Sequence, residues 1–178
     1  MKGIVFTEFF EMVEQKFGYE MVDTIINSSK LESEGIYTSV GTYPHSEIVQ
    51  LLMNLSKETK IEPDILLKEF GLYIFDTFYK AYPQFFNTCN SVFEFLESID
   101  NYIHVEVLKL YPDAALPKLD ATFDKESMIL MYHSDRSMGS FALGLIEKTI
   151  AHYEEDLTVI MDKEEKDGSI VKFTIKPI

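Results

Sequence analysis

The sequence contains no tryptophan and a single cysteine, Cys89, among its 178 residues. One thiol excludes an internal disulfide framework and any zinc or iron–sulfur site built from several cysteines of this chain, and it fits a reducing compartment. No run of residues approaches the ~18 uninterrupted apolar positions that a membrane span needs. Glu8 and Glu11 interrupt the start of the chain before an apolar signal segment can form. We therefore expect a soluble, cytoplasmic protein.

Basic residues are also scarce, since 16 lysines and arginines face 30 aspartates and glutamates and give a net charge of −14. A field of this sign repels phosphate backbones and anionic lipid headgroups. Neither nucleic acid nor a membrane surface is therefore an expected partner.

Aromatic residues are plentiful by contrast, with 14 phenylalanines and 10 tyrosines. A chain of this length buries roughly 70% of its unfolded surface, and so many rings motivate a search for a flat bound ligand. The length predicts a single domain over residues 1–178. Within it we expect an N-terminal helical lobe over about 1–60 and a second lobe over about 61–178.

Apolar residues at helical spacing predict that the first two-thirds of the chain is helical. Three helices are predicted over 3–17, where Gly18 ends the first, over 19–27, and after the cap residue Ser46. A fourth helix is predicted from Pro63 to Pro83. A fifth, of about five turns, is predicted to begin at Ser91 and Glu94 and to end near Tyr111.

The last third predicts a small antiparallel sheet with one helix inserted. Two prolines make 111–119 a loop. Alternating residues then predict strands at 127–134, 157–161 and 171–175, and Lys166-Asp167-Gly168 predicts a hairpin between the last two. Ser137 is the expected cap of the inserted helix. The fold class is therefore α+β.

His104 is the candidate metal ligand, because it lies in the middle of the long helix on the face of Leu96, Val107 and Leu108. An imidazole held on a helix can bind a metal ion. Asp100 lies one turn earlier, but two ligands do not complete a tetrahedral site. A metal at His104 would therefore bring its own equatorial ligands, as the iron of heme does. The alternative is a core histidine that hydrogen-bonds a carbonyl.

A second candidate is the segment Tyr132-x-Ser134-x-Arg136, whose three side chains share one face of an extended chain. A guanidinium can form a bidentate pair of hydrogen bonds with a carboxylate, while a phenol and a hydroxyl each donate one hydrogen bond. Such a group suits the two propionates of heme. The alternative is an ordinary polar strand end.

Together, His104, the two-proline loop and Tyr132-x-Ser134-x-Arg136 closely resemble the heme nitric oxide/oxygen-binding (H-NOX) family, in its stand-alone bacterial form. The similarity extends from Met1-Lys2-Gly3 to the closing hairpin. It implies an H-NOX-like fold around heme b, with His104 as the axial iron ligand and Tyr132, Ser134 and Arg136 on the propionates. It also implies that Pro117 presses on the porphyrin.

The resemblance bears on which gas is bound. Oxygen-binding members place a tyrosine hydroxyl over the iron, supported by polar side chains, and the matching positions here are Phe141, Phe9 and Ile74. Without a donor we expect nitric oxide and carbon monoxide to bind and dioxygen to be excluded. The expected apolar pocket residues are Val5, Phe9, Ile74, Phe75, Phe78, Leu108, Phe141 and Leu145.

The resemblance implies a sensor and not an enzyme. Nitric oxide binding would break the bond between His104 and iron and let the helix shift, which would regulate a separate histidine kinase or diguanylate cyclase. Two other classes stay open. One is a gas or oxygen carrier or a heme enzyme, and the other is a binding module for an apolar ligand without iron.

Overall fold

The computed structural model describes residues 1–124 and 126–178 and has an α+β fold. These described residues form eight α-helices, one π-helical turn and a four-stranded sheet. In chain order the helical elements are α1 (Gly3–Phe17), α2 (Tyr19–Asn27), α3 (His45–Thr59), α4 (Pro63–Ala81), α5 (Pro83–Asn87), α6 (Val92–Ser98), the π turn (Ile99–Ile103), α7 (His104–Leu110) and α8 (Gly139–Tyr153).

The strands are β1 (Lys118–Asp124), β2 (Ser127–His133), β3 (Leu157–Lys163) and β4 (Ile170–Pro177). They form an antiparallel sheet in the order β1-β2-β4-β3. Gly168 has a φ of 76° in the β3–β4 connection, as the predicted hairpin requires. The expected loop over 111–119 is too long, because β1 begins at Lys118 and pairs with β2 from there onward.

Two of the predicted helix caps are wrong, although the helices they belong to exist. Ser46 lies inside the first turn of α3, which begins at His45 after Pro44 and has no side-chain cap. Ser137 has a φ of 53° and stands before Met138, the residue that precedes α8. Pro44 and Met138 occupy the N-cap positions of α3 and α8, and neither helix start has a side-chain cap.

The cap at Ser91 is confirmed, since its hydroxyl accepts a hydrogen bond from the Glu94 amide at 3.2 Å. The Glu94 carboxylate in turn accepts from the Asn90 amide at 2.8 Å. The predicted long helix follows, but it is not uniform. It changes to a π turn at Ile99–Ile103 immediately before His104 and becomes α-helical again in α7.

Two hydrophobic cores meet within α4. Ile74 belongs to a core formed mainly by α1 to α4, whereas Phe75 belongs to a core formed by α5, α6, the sheet and α8. Helices α4 and α8 pack closely because Gly71 and Gly144 face each other. A Cβ at Gly144 would lie 2.1 Å from the Lys68 carbonyl oxygen, so only glycine permits this approach. The division of the chain near residue 60 stays a prediction.

A buried carboxylate organises the connection between α2 and α3. Glu47 is 1% exposed and accepts hydrogen bonds from the Ser33 hydroxyl at 2.6 Å, the Ser33 amide at 3.1 Å and the Tyr37 hydroxyl at 2.6 Å. Burial alone would raise the pKa of Glu47, but these hydrogen bonds outweigh burial and lower it. The connection is therefore fixed to α3 through a charged group.

We expect Glu47→Gln to destabilise the protein by about 1–3 kcal/mol, because the amide cannot accept all three hydrogen bonds. The carboxylate has a lower pKa in the folded chain than in the unfolded chain. Its contribution is thus complete above the unfolded pKa and is lost as the pH falls through the folded pKa. Urea unfolding at pH 7 and at decreasing pH measures both effects. Glu58→Gln, an exposed change on the same helix, is the control and should leave stability nearly unchanged.

Within the residues that the structure describes, no helix is long and apolar enough to cross a membrane.

Candidate functional site

A largely apolar cavity of about 340 Å³ lies between the helices and the sheet. Its walls come from the start of α1, the middle of α4, the long helix around His104, the loop after α7, strand β2 and the first half of α8. Of the predicted site residues, the cavity brings together His104, Pro117, Tyr132, Ser134, Arg136, Val5, Phe75, Phe78, Phe141 and Leu145.

His104 enters the cavity wall as the first residue of α7, directly after the π turn. Its side chain is 15% exposed, and its Nδ1 lies 3.3 Å from the Asp100 carboxylate. Burial lowers the pKa of His104, and the nearby carboxylate only partly offsets this effect. When Nδ1 carries the proton and donates a hydrogen bond to Asp100, Nε2 keeps a free lone pair.

Asp100 is held in turn by the strand that follows the loop. Its Oδ1 accepts a long hydrogen bond of 3.5 Å from the Leu119 amide near the start of β1. Asp100 therefore connects the His104 ring to strand β1 through two hydrogen bonds. This arrangement orients the imidazole in the way that carboxylates orient metal-binding histidines. No group of three or more histidine, cysteine or carboxylate side chains that could hold a metal ion occurs in the described part of the chain.

Tyr132, Ser134 and Arg136 all line the cavity, but they do not lie on one extended chain as predicted. Strand β2 ends at His133, and Arg136 lies in the turn that follows. Tyr132 is buried at the end of β2, and its hydroxyl oxygen accepts from the Met138 amide at 3.3 Å. The Ser134 hydroxyl accepts from the Arg136 amide at 3.2 Å. Burial raises the pKa of Tyr132 and lowers that of Arg136.

Arg136 is the only arginine in the sequence, and it forms no ion pair with any described carboxylate. Burial and the positive charges of Arg136 and Lys2 lower the pKa of the Met1 amine. A half-buried cation without a partner is costly unless an anion accompanies it. In a chain of net charge −14, this end of the cavity is suited to an anionic group.

The apolar residues predicted for the pocket provide no hydrogen-bond donor to the cavity. Val5, Phe75, Phe78, Phe141 and Leu145 are all apolar. Thr149 also lines the wall, but its hydroxyl already donates to the Leu145 carbonyl at 2.8 Å.

Three predicted pocket residues lie away from the cavity. Phe9 and Ile74 are fully buried in the N-terminal core, where the ring of Phe9 packs against Phe70 at 5.3 Å between centroids. Leu108 lies on the outer side of α7, in an open depression of about 290 Å³ that it shares with Val105 and Leu116. His104 and Pro117 border both the cavity and this depression.

The prediction from sequence missed the polar rim at the N-terminal side of the cavity. Lys2, Thr42 and Asp113 all line the cavity, together with Tyr82 and Tyr111. These positions are distant in sequence and show no periodic pattern. The charged pair Lys2 and Asp113 was visible in the sequence, but nothing in it indicated that the two would meet.

This fold and cavity define a class of ligand-binding domain in which a helical part and an antiparallel sheet together enclose an apolar cavity. The family model described as Haem-NO-binding (HNOB) matches residues 2–161. The chain belongs to this family, the H-NOX domains, which are heme-based gas sensor domains and generally not enzymes. No curated protein matches it by sequence.

Solved structures agree with this assignment. The H-NOX protein from K. algicida, in the Fe(II) unliganded state, is 47% identical, with a TM-score of 0.96 over 99% of this chain and 96% of that chain. The H-NOX from Shewanella woodyi, bound to IWP-051 in the Fe(II)CO ligation state, is 39% identical, with a TM-score of 0.83 over 100% and 95%. The S. oneidensis H-NOX in the Fe(II)NO state, at 21% identity and a TM-score of 0.89 over 99% and 98%, supports the fold alone.

Proposed function

We propose that this chain is a heme b sensor of nitric oxide in which His104 is the axial ligand and Tyr132, Ser134 and Arg136 bind the propionates. The observation that carries the proposal is the pairing of a carboxylate-oriented imidazole in one wall with an arginine that lacks an ion pair at one end of the same apolar cavity. A flat apolar cofactor with an anionic edge and an open axial position fits both features.

The residues present fit heme on chemical grounds. A bound ferrous heme would supply an iron centre that accepts a diatomic gas. Asp100 holds Nδ1 of His104 so that Nε2 is available as a ligand, and burial favours the neutral imidazole that metal binding needs. Arg136 offers a planar fork that matches a carboxylate. Pro117 forms part of the wall, where it would press on the edge or face of the cofactor.

The apolar residues of the cavity favour nitric oxide and carbon monoxide over dioxygen. Phe141, Phe75 and Phe78 cannot donate a hydrogen bond to a bound gas. Stable dioxygen binding depends on such a donor, whereas nitric oxide binds ferrous iron strongly without one.

The proposed output is regulation in trans. His104 begins α7, so release of its imidazole would free this helix and the following loop to shift. A ligand changes the balance of two conformations only when it binds them with different affinity, and the His104 bond would provide that difference. We propose a histidine kinase or a diguanylate cyclase in the cytoplasm as the regulated enzyme, with neither nucleic acid nor membrane as a partner.

A visible absorption spectrum tests the proposal. We expect purified or heme-loaded protein to show a Soret band that shifts when nitric oxide is added without air. A colourless protein that takes up no heme would contradict the proposal and favour an apolar-ligand module. A stable spectral change in air alone would favour an oxygen carrier.

Phe141→Tyr is expected to give the ferrous protein measurable dioxygen affinity. Phe141 lines the cavity and packs against Phe70 at 5.2 Å between ring centroids, and a tyrosine at this position would add a hydroxyl donor to this apolar wall. Spectra of the ferrous variant and parent in air, with Phe78→Tyr as a second donor position, measure the effect. A parent that already holds dioxygen would contradict the argument that the apolar cavity excludes it.

A further inference from the structure

Three residues from distant parts of the chain form a hydrogen-bonded ring at the edge of the cavity. Lys2 Nζ donates to both carboxylate oxygens of Asp113, at 3.0 and 3.2 Å, and to the Thr42 hydroxyl at 2.8 Å. The Thr42 hydroxyl donates to Asp113 Oδ2 at 2.7 Å. Each member thus contacts the other two, and we name Lys2, Thr42 and Asp113 the clasp.

The clasp joins the N-terminal part of the fold to the loop that follows His104. Lys2 precedes α1, Thr42 lies in the connection before α3, and Asp113 lies three residues beyond the end of α7. Among the described residues, the hydrogen bonds of the clasp are the only ones that connect loop 111–117 with residues 1–44. They therefore link this loop to the N-terminal part of the fold.

The loop is also fixed beside the clasp. Lys2 Nζ lies 5.0 Å from the centre of the Tyr111 ring, and the Tyr111 hydroxyl lies 3.5 Å from the Tyr82 hydroxyl at the end of α4. Lys2, Thr42, Asp113, Tyr82 and Tyr111 all line the cavity. These residues line the wall of the cavity where the loop meets the N-terminal segment.

We infer that the clasp holds loop 111–117 against the cavity and thereby sets the rate at which bound heme leaves the protein. This inference rests on the proposed heme function. Lys2, Thr42 and Asp113 are positioning residues, because they act on heme through the loop that contains Ala114, Leu116 and Pro117. They are separate from the proposed contacts of His104 and of Arg136.

The chemistry of the clasp supports a persistent link. The side chain of Lys2 is only 17% exposed, although that of Asp113 is 56% exposed. Hydrogen bonds from Thr42 and Lys2 lower the pKa of Asp113 to about 2, so its carboxylate stays charged at any ordinary pH. An isolated surface ion pair is weak and is screened by salt. Here one carboxylate accepts three hydrogen bonds at the same time.

The test measures transfer of heme from the loaded protein to an excess of apomyoglobin. We expect Lys2→Met and Asp113→Asn each to speed heme loss by about two- to fivefold, in keeping with the small energy of a partly exposed pair. The double variant should lose heme no faster than the faster single variant, because both changes remove the same link. Added salt should speed the parent more than the double variant.

Two further measurements keep the outcomes distinct. Lys16→Met removes a surface ion pair with Glu69 on α1 and α4 and should leave heme loss unchanged. Hydrogen exchange should be faster at the amides of 111–117 in the clasp variants, with or without heme. A parent that bound no heme would overturn the proposed function. A heme-bound parent whose clasp variants matched it in both rates would overturn this inference alone.

Discussion

His104→Gly is expected to remove the proposed bond between His104 and iron, so that the ferrous Soret band moves and weakens and most heme is lost on gel filtration. The fold should survive, because one glycine at the start of α7 costs only about 1 kcal/mol of helix propensity. The cavity left by the ring would admit free imidazole beside Asp100. Added imidazole should therefore restore a spectrum close to that of the parent.

The matched control is His133→Gln, which changes a histidine whose side chain is 40% exposed, on strand β2. It should retain the parental spectrum and heme content. Circular dichroism and urea unfolding separate loss of the ligand from loss of the fold. If His104→Gly kept its heme with an unchanged spectrum, the axial ligand would be another residue and the proposed site would be wrong.

The sequence predicts the helices well because most of them carry a regular apolar stripe. Tyr19–Asn27 matches the expected bounds, and so does the start of α4 at Pro63. The π turn before His104 has no comparable signal, since it changes backbone hydrogen bonds without changing which residues are apolar. Strand β1 did carry a signal, because Leu119, Ala121 and Phe123 alternate with polar residues. The nearby prolines obscured it.

The residues of the candidate site were likewise predicted only in part. Tyr132, Ser134 and Arg136 line the same cavity as expected, although a turn after β2, and not the predicted extended chain, places Arg136 there. Residue spacing alone does not predict which turns of a helix line the cavity and which lie in the core. Phe9 shares a helix face with Val5 but lies one turn, or about 6 Å, further along, inside the core.

The sequence does not predict the contacts between segments that are far apart along the chain. Lys2 and Asp113 are 111 residues apart and meet because the start of α1 and the end of α7 lie at the same side of the cavity. Ile74 and Phe75 are neighbours in sequence, yet they belong to different cores. Tertiary packing, and not local pattern, decides both arrangements.

Arg136→Ala is expected to speed heme loss by about tenfold or more, because charge-assisted hydrogen bonds are worth about 1.5–3 kcal/mol. This effect should exceed that of the clasp variants, since Arg136 would contact the cofactor itself. The ferrous spectrum should stay close to that of the parent while heme is bound, because the imidazole of His104 is untouched. Heme transfer to apomyoglobin measures the rate.

Arg136→Lys separates charge from geometry at the same position. Lysine keeps the positive charge but lacks the planar fork, so we expect its rate of heme loss to lie between those of the parent and Arg136→Ala. Arg136 has no ion pair with the described carboxylates, so removing it should not destabilise the heme-free fold through a lost partner. If all three proteins lost heme at the same rate, the anionic edge of the cofactor would have to lie at another end of the cavity.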